Sequence, residues 1–528
     1  MGDLDSSAPS ALGALGARAR SAPDWLILTL ACVAQFMVLL DVSIVNVALP
    51  AMKVSLGFSE SGLQWVLNAY TLTFAGFLLL GGRTADLFGR RRIFLVGLAV
   101  FTGASLFGGF AQDQTWLITA RAVQGLGGAI LSPTTLTILT TTFTEPKARS
   151  RAMGIWSAVA GAGGAAGALL GGILTEELSW RWILFINIPI GIVTMVAGRA
   201  YLQESRVTGE HRPTLDVPGA VLVTSGLTAL VLGVVRTTTV GWGSWQTLTT
   251  LGISAALITV FLYYEARVAK APLMPLRMFE RRSIWTSNLT MFLLSGAIFA
   301  MWFFVSLYLQ QVRGYSPMRT GFAFVPQTIA IIIGAQVSSR LVVRFGPRPL
   351  LVIGALCSAG GLFWLGGVGV TTGYWSGFFV PSVLVTLGLG LCFTPLAFAA
   401  TAGVPPQEAG LASGLVNTSR QIGGAVGLAA LATVATTRML DLVGRVGPLA
   451  AATSGYTEAF RIASVIALGA AGTALVVPKV VRVWPVGTDA RAGSVGATGE
   501  TVANPDSTAP PENGSAVAVP VTVVSTDE

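Results

Sequence analysis

The chain has 528 residues, 53% of them hydrophobic and only 11% charged, with a formal net charge of +9. A soluble domain carries about 25% charged residues, so this composition excludes a soluble globular fold, which needs more polar surface to cover itself, and makes lipid the natural solvent. The positive charge does not point to nucleic acid, because the basic residues fall in short segments between apolar runs instead of along one stripe.

Residues 1–24 form a polar, small-residue N-terminal segment. Its start, "MGDLDS", fits a myristoylation pattern, but the apolar runs that follow already anchor the chain, and the first of them is too long for a cleaved signal peptide. A membrane helix needs about 20 apolar residues. Fourteen such segments are predicted, near 25–49, 62–81, 93–111, 115–139, 151–173, 182–202, 218–236, 247–265, 284–308, 318–340, 350–369, 374–399, 410–436 and 457–478. The expected organisation is a six-helix bundle over 25–202, a linker over 203–283 holding helices 7 and 8, a second six-helix bundle over 284–478, and a disordered cytoplasmic tail over 479–528, rich in Gly, Ala, Ser, Thr and Pro. With both ends inside, about two thirds of the 33 Lys and Arg fall on the cytoplasmic side, as the bias of basic loops requires.

The first span contains "LLDVSIVNVALP" (39–50). An acid inside a span is costly and marks a functional site by default. Hydrocarbon disfavours the charged form of a carboxyl, the property a proton carrier needs. Asp41 is therefore a candidate proton or cation site, the bland alternative being hydrogen bonds to Ser or Asn of neighbouring helices. Between spans two and three lies "GGRTADLFGRRR" (81–92), read as a cytoplasmic loop in which Gly82 and Gly89 allow tight turns and Asp86 accepts from Arg90 or a helix N-terminus. Span four contains "RAVQGLGGAILSP" (121–133), with Arg121 about six residues from its outer start. At 1.5 Å per residue, Asp41 and Arg121 sit at depths of about 13 and 9 Å, within one helical turn, so an ion pair between them is expected. The alternative has Arg121 snorkelling outward or bonding backbone carbonyls. Span five holds "GAGGAAGALLGG" (161–172), whose four-residue glycine spacing permits close helix approach.

Further along, Asp216 before Pro218 reads as a helix cap. Span nine is rich in aromatics and methionines, among them Trp285, Met291, Phe292, Phe299, Met301, Trp302, Phe303 and Phe304, which face either a cavity or lipid. "SSRLVVRFGPRP" (338–349) echoes the 81–92 stretch: aligning Gly346 with Gly89 sets Val343 opposite Asp86 and Arg348 opposite Arg91, so the two halves read as parallel repeats. "EAGLASGLVNTSRQIGGAVG" (408–427) places polar Asn417, Arg420 and Gln421 in span thirteen. With Gln124 they are the candidate cavity residues.

These stretches make the chain resemble a major facilitator superfamily transporter, of the 14-span drug:proton antiporter branch, over about residues 25 to 480. The resemblance implies an all-α integral membrane fold of two six-helix bundles plus two inserted central helices. It implies a cytoplasmic latch at Gly82, Asp86, Gly89, Arg90, Arg91 and Arg92, a proton-coupling part for Asp41 and Arg121, and an antiporter glycine motif at Gly163, Gly167, Gly171 and Gly172. Ala168 stands where that motif has proline, a departure that removes a kink.

No G-x-x-x-x-G-K-[ST] loop exists, which excludes a nucleotide-driven pump built from this chain alone. Cys32, Cys357 and Cys392 lie apart in apolar segments and the single His211 lies in a polar loop, so no metal site, cofactor or disulfide framework is expected. No paired acids or Ser-His set suggests an enzyme. The implied activity is proton-coupled export of drug-like or antibiotic organic compounds by alternating access across the cell membrane, with N- and C-termini cytoplasmic. The partners are a small organic substrate, protons and the bilayer, the working unit a monomer. A proton-linked importer of a small metabolite on the same fold is the alternative.

Overall fold

The computed structural model describes residues 23–205, 215–402, 404 and 408–478. Nearly all of the N-terminal segment, the loop with His211 and the tail from 479 therefore lie outside the described residues. Among the described residues there is no strand. Fourteen long helices carry the fold: α1 (Asp24–Leu56), α2 (Trp65–Phe88), α3 (Arg90–Gly109), α4 (Gln114–Thr142), α5 (Pro146–Glu177), α6 (Trp182–Tyr201), α7 (Val217–Val240), α8 (Trp245–Arg267), α9 (Arg282–Leu307), α10 (Pro317–Phe345), α11 (Pro347–Leu365), α12 (Val380–Thr401), α13 (Ala409–Val446) and α14 (Pro448–Val476). Thirteen are long and apolar enough to cross a membrane; α5, 32 residues rich in Gly and Ala, completes the set.

Helix ends run past the apolar runs. α1 continues through Pro50 to Leu56 and stops at Gly57, whose φ of 68° is left-handed. α13 continues to Val446 through Thr436, Thr437 and Arg438. Hydropathy marks where lipid ends, whereas backbone hydrogen bonding carries the helix on until a residue cannot propagate it. The same reason corrects the reading of 81–92 as a loop. α2 is helical through Phe88 and α3 begins at Arg90, so the break is the single residue Gly89, with φ 101°. Gly82 is mid-helix and makes no turn. The internal echo has the same construction: Gly346, φ 74°, is the one residue between α10 and α11.

α1 lies against α5, α4 and α6, α2 against α4, and α3 against α4 and α6. In the second half, α9 lies against α13, α14 and α12, while α11 packs on α12 and α14 and α10 on α12. The halves meet chiefly where α5 lies on α10 and α2 on α13, with α1 also touching α9 and α10. Of the inserted pair, α7 packs on α8 and touches both α2 and α13, with Val231 and Val235 against Leu72, Ala425 and Ala429. The architecture is thus two six-helix bundles with α7 leaning on both and α8 packed on α7.

Candidate functional site

Asp41 in α1 and Arg121 in α4 form an ion pair, Arg121 Nη1 to Asp41 Oδ2 at 2.6 Å, with side-chain exposures of 0% and 1%. The pair sits in a closed polar cluster. Gln124 Nε2 donates to Asp41 Oδ1 at 2.8 Å and Asn187 Nδ2 to the same oxygen at 3.2 Å. Arg121 Nη1 also reaches Gln124 Oε1 at 2.6 Å and Arg121 Nε the Val66 carbonyl at 3.1 Å, with the guanidinium 4.5 Å from the Tyr70 ring centroid. Ser105 Oγ accepts from Gln124 and Asn187 and donates to the Leu184 carbonyl. Three N–H donors converge on the carboxylate, and the arginine fork is held by a carboxylate, an amide and a carbonyl, so neither ion is buried without partners.

Helix geometry sets where this cluster opens. Val38, Leu39, Val42, Ser43, Asn46 and Val47 line a cavity on one side of α1, while Asp41 points the other way, into the first bundle. Gln124, expected on the cavity wall, belongs to the buried cluster instead, because its amide bridges Asp41, Arg121 and Ser105. Asn187 and Ser105 were missed. Asn187 carried a signal, an amide inside an apolar span; Ser105 carried none, because hydroxyls inside helices usually satisfy themselves on the preceding turn.

The cavity lies between the halves, with a volume of about 590 Å³, in the range of small-molecule sites. Arg420 and Gln421 of α13 line it; Asn417 does not, but its Oδ1 accepts from Arg420 Nε at 3.1 Å. Of the span-nine aromatics and methionines, Phe299 and Trp302 face the cavity, whereas Met291, Met301, Phe303 and Phe304 are buried in the core and Trp285 is exposed. At one end the halves are tied. Ser306 Oγ donates to the Asn46 carbonyl at 2.6 Å, Gln310 Nε2 to the Val47 carbonyl at 2.9 Å, and the Met318 N–H to Glu176 Oε2 at 2.8 Å. The wall extends the other way to Gly154 and Gln336, toward the end that carries Asp86.

The span-five glycines bear on the helix crossings. A Cβ on Gly163, Gly167 or Gly171 would meet the α1 carbonyls of Phe36, Leu40 and Ile44 at 2.9, 2.6 and 2.7 Å, so these three seat α5 on α1. Gly172 does the same across the halves, where a Cβ would stand 2.6 Å from the Pro317 carbonyl of α10. Ala168, at the motif's proline position, is buried, and its carbonyl faces Gly321 of α10 at 2.5 Å from where a Cβ would stand. α5 therefore crosses α10 on small residues without a proline kink.

Around Gly89, Arg90 Nη2 meets Asp86 Oδ1 at 3.0 Å, the helix-turn spacing the sequence suggested. The other contacts run to the end of α6: Arg90 N–H to the Ser205 carbonyl at 3.0 Å, Arg92 N–H to Glu204 Oε2 at 3.1 Å and Arg91 Nη2 to the Arg199 carbonyl at 2.6 Å. The contact leaving the first bundle comes from Arg83, whose guanidinium donates to the carbonyls of Ala271 and Pro272, after α8. Asp216 caps α7 as expected, its Oδ1 accepting from Gly219 N–H at 2.9 Å. Among the described residues no group of three or more His, Cys, Asp or Glu could hold a metal.

Residues 31–428 match the family described as the Major Facilitator Superfamily. The chain is similar to a cephamycin export protein of Amycolatopsis lactamdurans, 44% identical over 87% of this chain and 94% of that protein. It is similar to a puromycin resistance protein of Streptomyces alboniger, 39% identical over 84% and 88% of the two chains. Among solved structures, a bacterial homologue of the human lysosomal transporter Spinster, inward-facing and unoccupied, matches with a TM-score of 0.62 over 86% of this chain and 96% of that one, at 16% identity. That last likeness is one of fold.

Proposed function

The chain belongs to the Major Facilitator Superfamily, and on that premise we propose that it exports antibiotic-like organic compounds from the cell, driven by protons entering through the Asp41 cluster. The carrying observation is that one helix, α1, presents a buried carboxylate–arginine pair on one face and the wall of the central cavity on the other. A proton arriving on Asp41 cancels the charge that holds Arg121, and the two helices are free to re-seat. Because α1 also carries cavity residues, re-seating it changes the cavity. Substrate and proton then communicate through a shared helix, without touching.

The end tied by Ser306, Gln310 and Glu176 is the outer one in this reading, so the cavity faces the cytoplasm and both chain termini lie on the cytoplasmic side of the cell membrane. The relatives' export and resistance roles support the direction. Asp86 and the arginines at Gly89 anchor the cytoplasmic end of the first bundle, and Gly163, Gly167, Gly171 and Gly172 form the sliding surface at the crossings of α5 with α1 and α10. The chain acts as a monomer. One proton moving across 100 mV supplies about 2.3 kcal/mol, enough for a substrate gradient of about fifty-fold. Inside-out vesicles with an imposed pH gradient test the reading: substrate accumulates inside when the lumen is acid, and collapse of the gradient releases it. Accumulation only under the opposite gradient would make the protein an importer.

A further inference from the structure

Arg420 is the one charged side chain among the described residues that line the cavity. Its Nε is held by Asn417 Oδ1 at 3.1 Å, and among the described residues no carboxylate pairs with it. The Nη1 and Nη2 edge of the fork thus has no protein partner there. The contrast with Arg121 is instructive: that guanidinium is held at Nε and Nη1 by a carboxylate, an amide and a carbonyl, and lies against a ring. An arginine in a largely apolar wall is costly without an anion, and its planar fork matches a carboxylate bidentately. A second unfilled group lies on the same wall. Gln327 of α10 is 5% exposed, and its Oε1 is buried with no hydrogen-bond partner, so it calls for a donor. Phe299, Trp302 and Phe324 supply apolar aromatic surface between polar groups.

We infer that the cavity is built for an amphipathic organic anion whose carboxylate docks on the Nη edge of Arg420, with a ligand N–H or O–H donating to Gln327 Oε1 and the apolar body lying on Phe299 and Trp302. This rests on the reading of the cavity as the export path. It predicts selection against permanent cations, because no carboxylate on the described wall would receive one.

The test is direct binding to purified full-length protein in lipid nanodiscs, followed by quenching of tryptophan fluorescence, with three matched probes: 1-pyrenebutyrate, its methyl ester, and a pyrenebutyl trimethylammonium. The wild type is expected to bind the acid at least tenfold more tightly than the ester and the cation most weakly. In R420Q the acid-to-ester ratio falls to near one, and in R420K it is intermediate, since a lysine keeps the charge and loses the fork. Equal binding of acid and ester by the wild type, preference for the cation, or a ratio unchanged in R420Q overturns the inference. The wild-type ratio decides even if R420Q fails to fold. Vesicle transport separates the two readings. Uphill export without discrimination by charge sinks the anion site and leaves the exporter; selective binding without uphill transport sinks the exporter and leaves the site.

Discussion

D41N replaces the carboxylate at the centre of the buried cluster with an amide of nearly equal size. Asp41 accepts from Arg121 on Oδ2 and from Gln124 and Asn187 on Oδ1. An asparagine can still accept on one oxygen, but its NH₂ faces at least one of these donors, and Arg121 keeps its charge at 1% exposure. Removing one partner of a buried ion pair costs about 3–5 kcal/mol, so a clear fall in melting temperature is expected. R121Q added to D41N should recover part of it, since the stranded charge is then gone. The functional effect is larger and of a different kind. A site that no longer binds a proton cannot couple, so the accumulation ratio in energised vesicles falls from about fifty-fold at 100 mV to about one. Substrate exchange without a gradient persists, because the cavity residues are untouched. The assay is paired on one preparation, with uptake at imposed pH gradients and counterflow at equal pH. Gradient-dependent accumulation by D41N within twofold of wild type would refute the assignment of the proton to this cluster.

Three further outcomes follow from the geometry. In G167A the new methyl meets the Leu40 carbonyl at 2.6 Å and Ser43 Cβ at 2.8 Å, so α5 lifts off α1; thermal unfolding should show about 1–3 kcal/mol lost, while G154A, whose Cβ meets nothing within 4 Å, should cost little. S306A with Q310A removes two hydrogen bonds across the tied end, each worth about 0.5–1.5 kcal/mol, and should raise labelling of an added V47C from outside the cell by about five-fold or more. D86N breaks a partly exposed pair with Arg90, worth about 0–1 kcal/mol, so its melting temperature should drop far less than that of D41N; an equal drop would show that Asp86 carries more than this one pair.

The sequence made the fold legible because lipid imposes a coarse rule of apolar length that thirteen of the fourteen long helices meet. It also brought Asp41 and Arg121 together, since two intramembrane charges of opposite sign at matching depth have few other solutions. What it lost depends on direction around a helix rather than position along it. Gln124 faces Asp41 because it lies one turn from Arg121, yet the same spacing fits a residue on the cavity side. Asn187 and Ser105 join the cluster only after α3 and α6 have packed on α4 and α1. The stretch at 81–92 misled for another reason: five charges and three glycines suggest a loop, but only Gly89 adopts a conformation that other residues resist, and the charged residues sit on helix ends.

The placement of the two unlike arginines narrows how the machine can work. Arg121 is held at Nε and Nη1 by a carboxylate, an amide and a carbonyl in the interior of one bundle; Arg420 is held at Nε by one amide on the wall between bundles. If substrate and proton competed for one group, that group would have to be reachable from the cavity, and Asp41 is not: α1 stands between, with Val38 and Val42 on the cavity side. The proposed coupling is therefore a mechanical link, in which the α1–α5 contact made by Gly163, Gly167 and Gly171 would pass a movement of α1 to Gly172 and the α5–α10 crossing. That crossing also carries the Glu176–Met318 bond of the tied end. In the proposed mechanism, protonation of Asp41 would act through this run of close-packed backbone, one glycine per turn, on the crossing of α5 with α10.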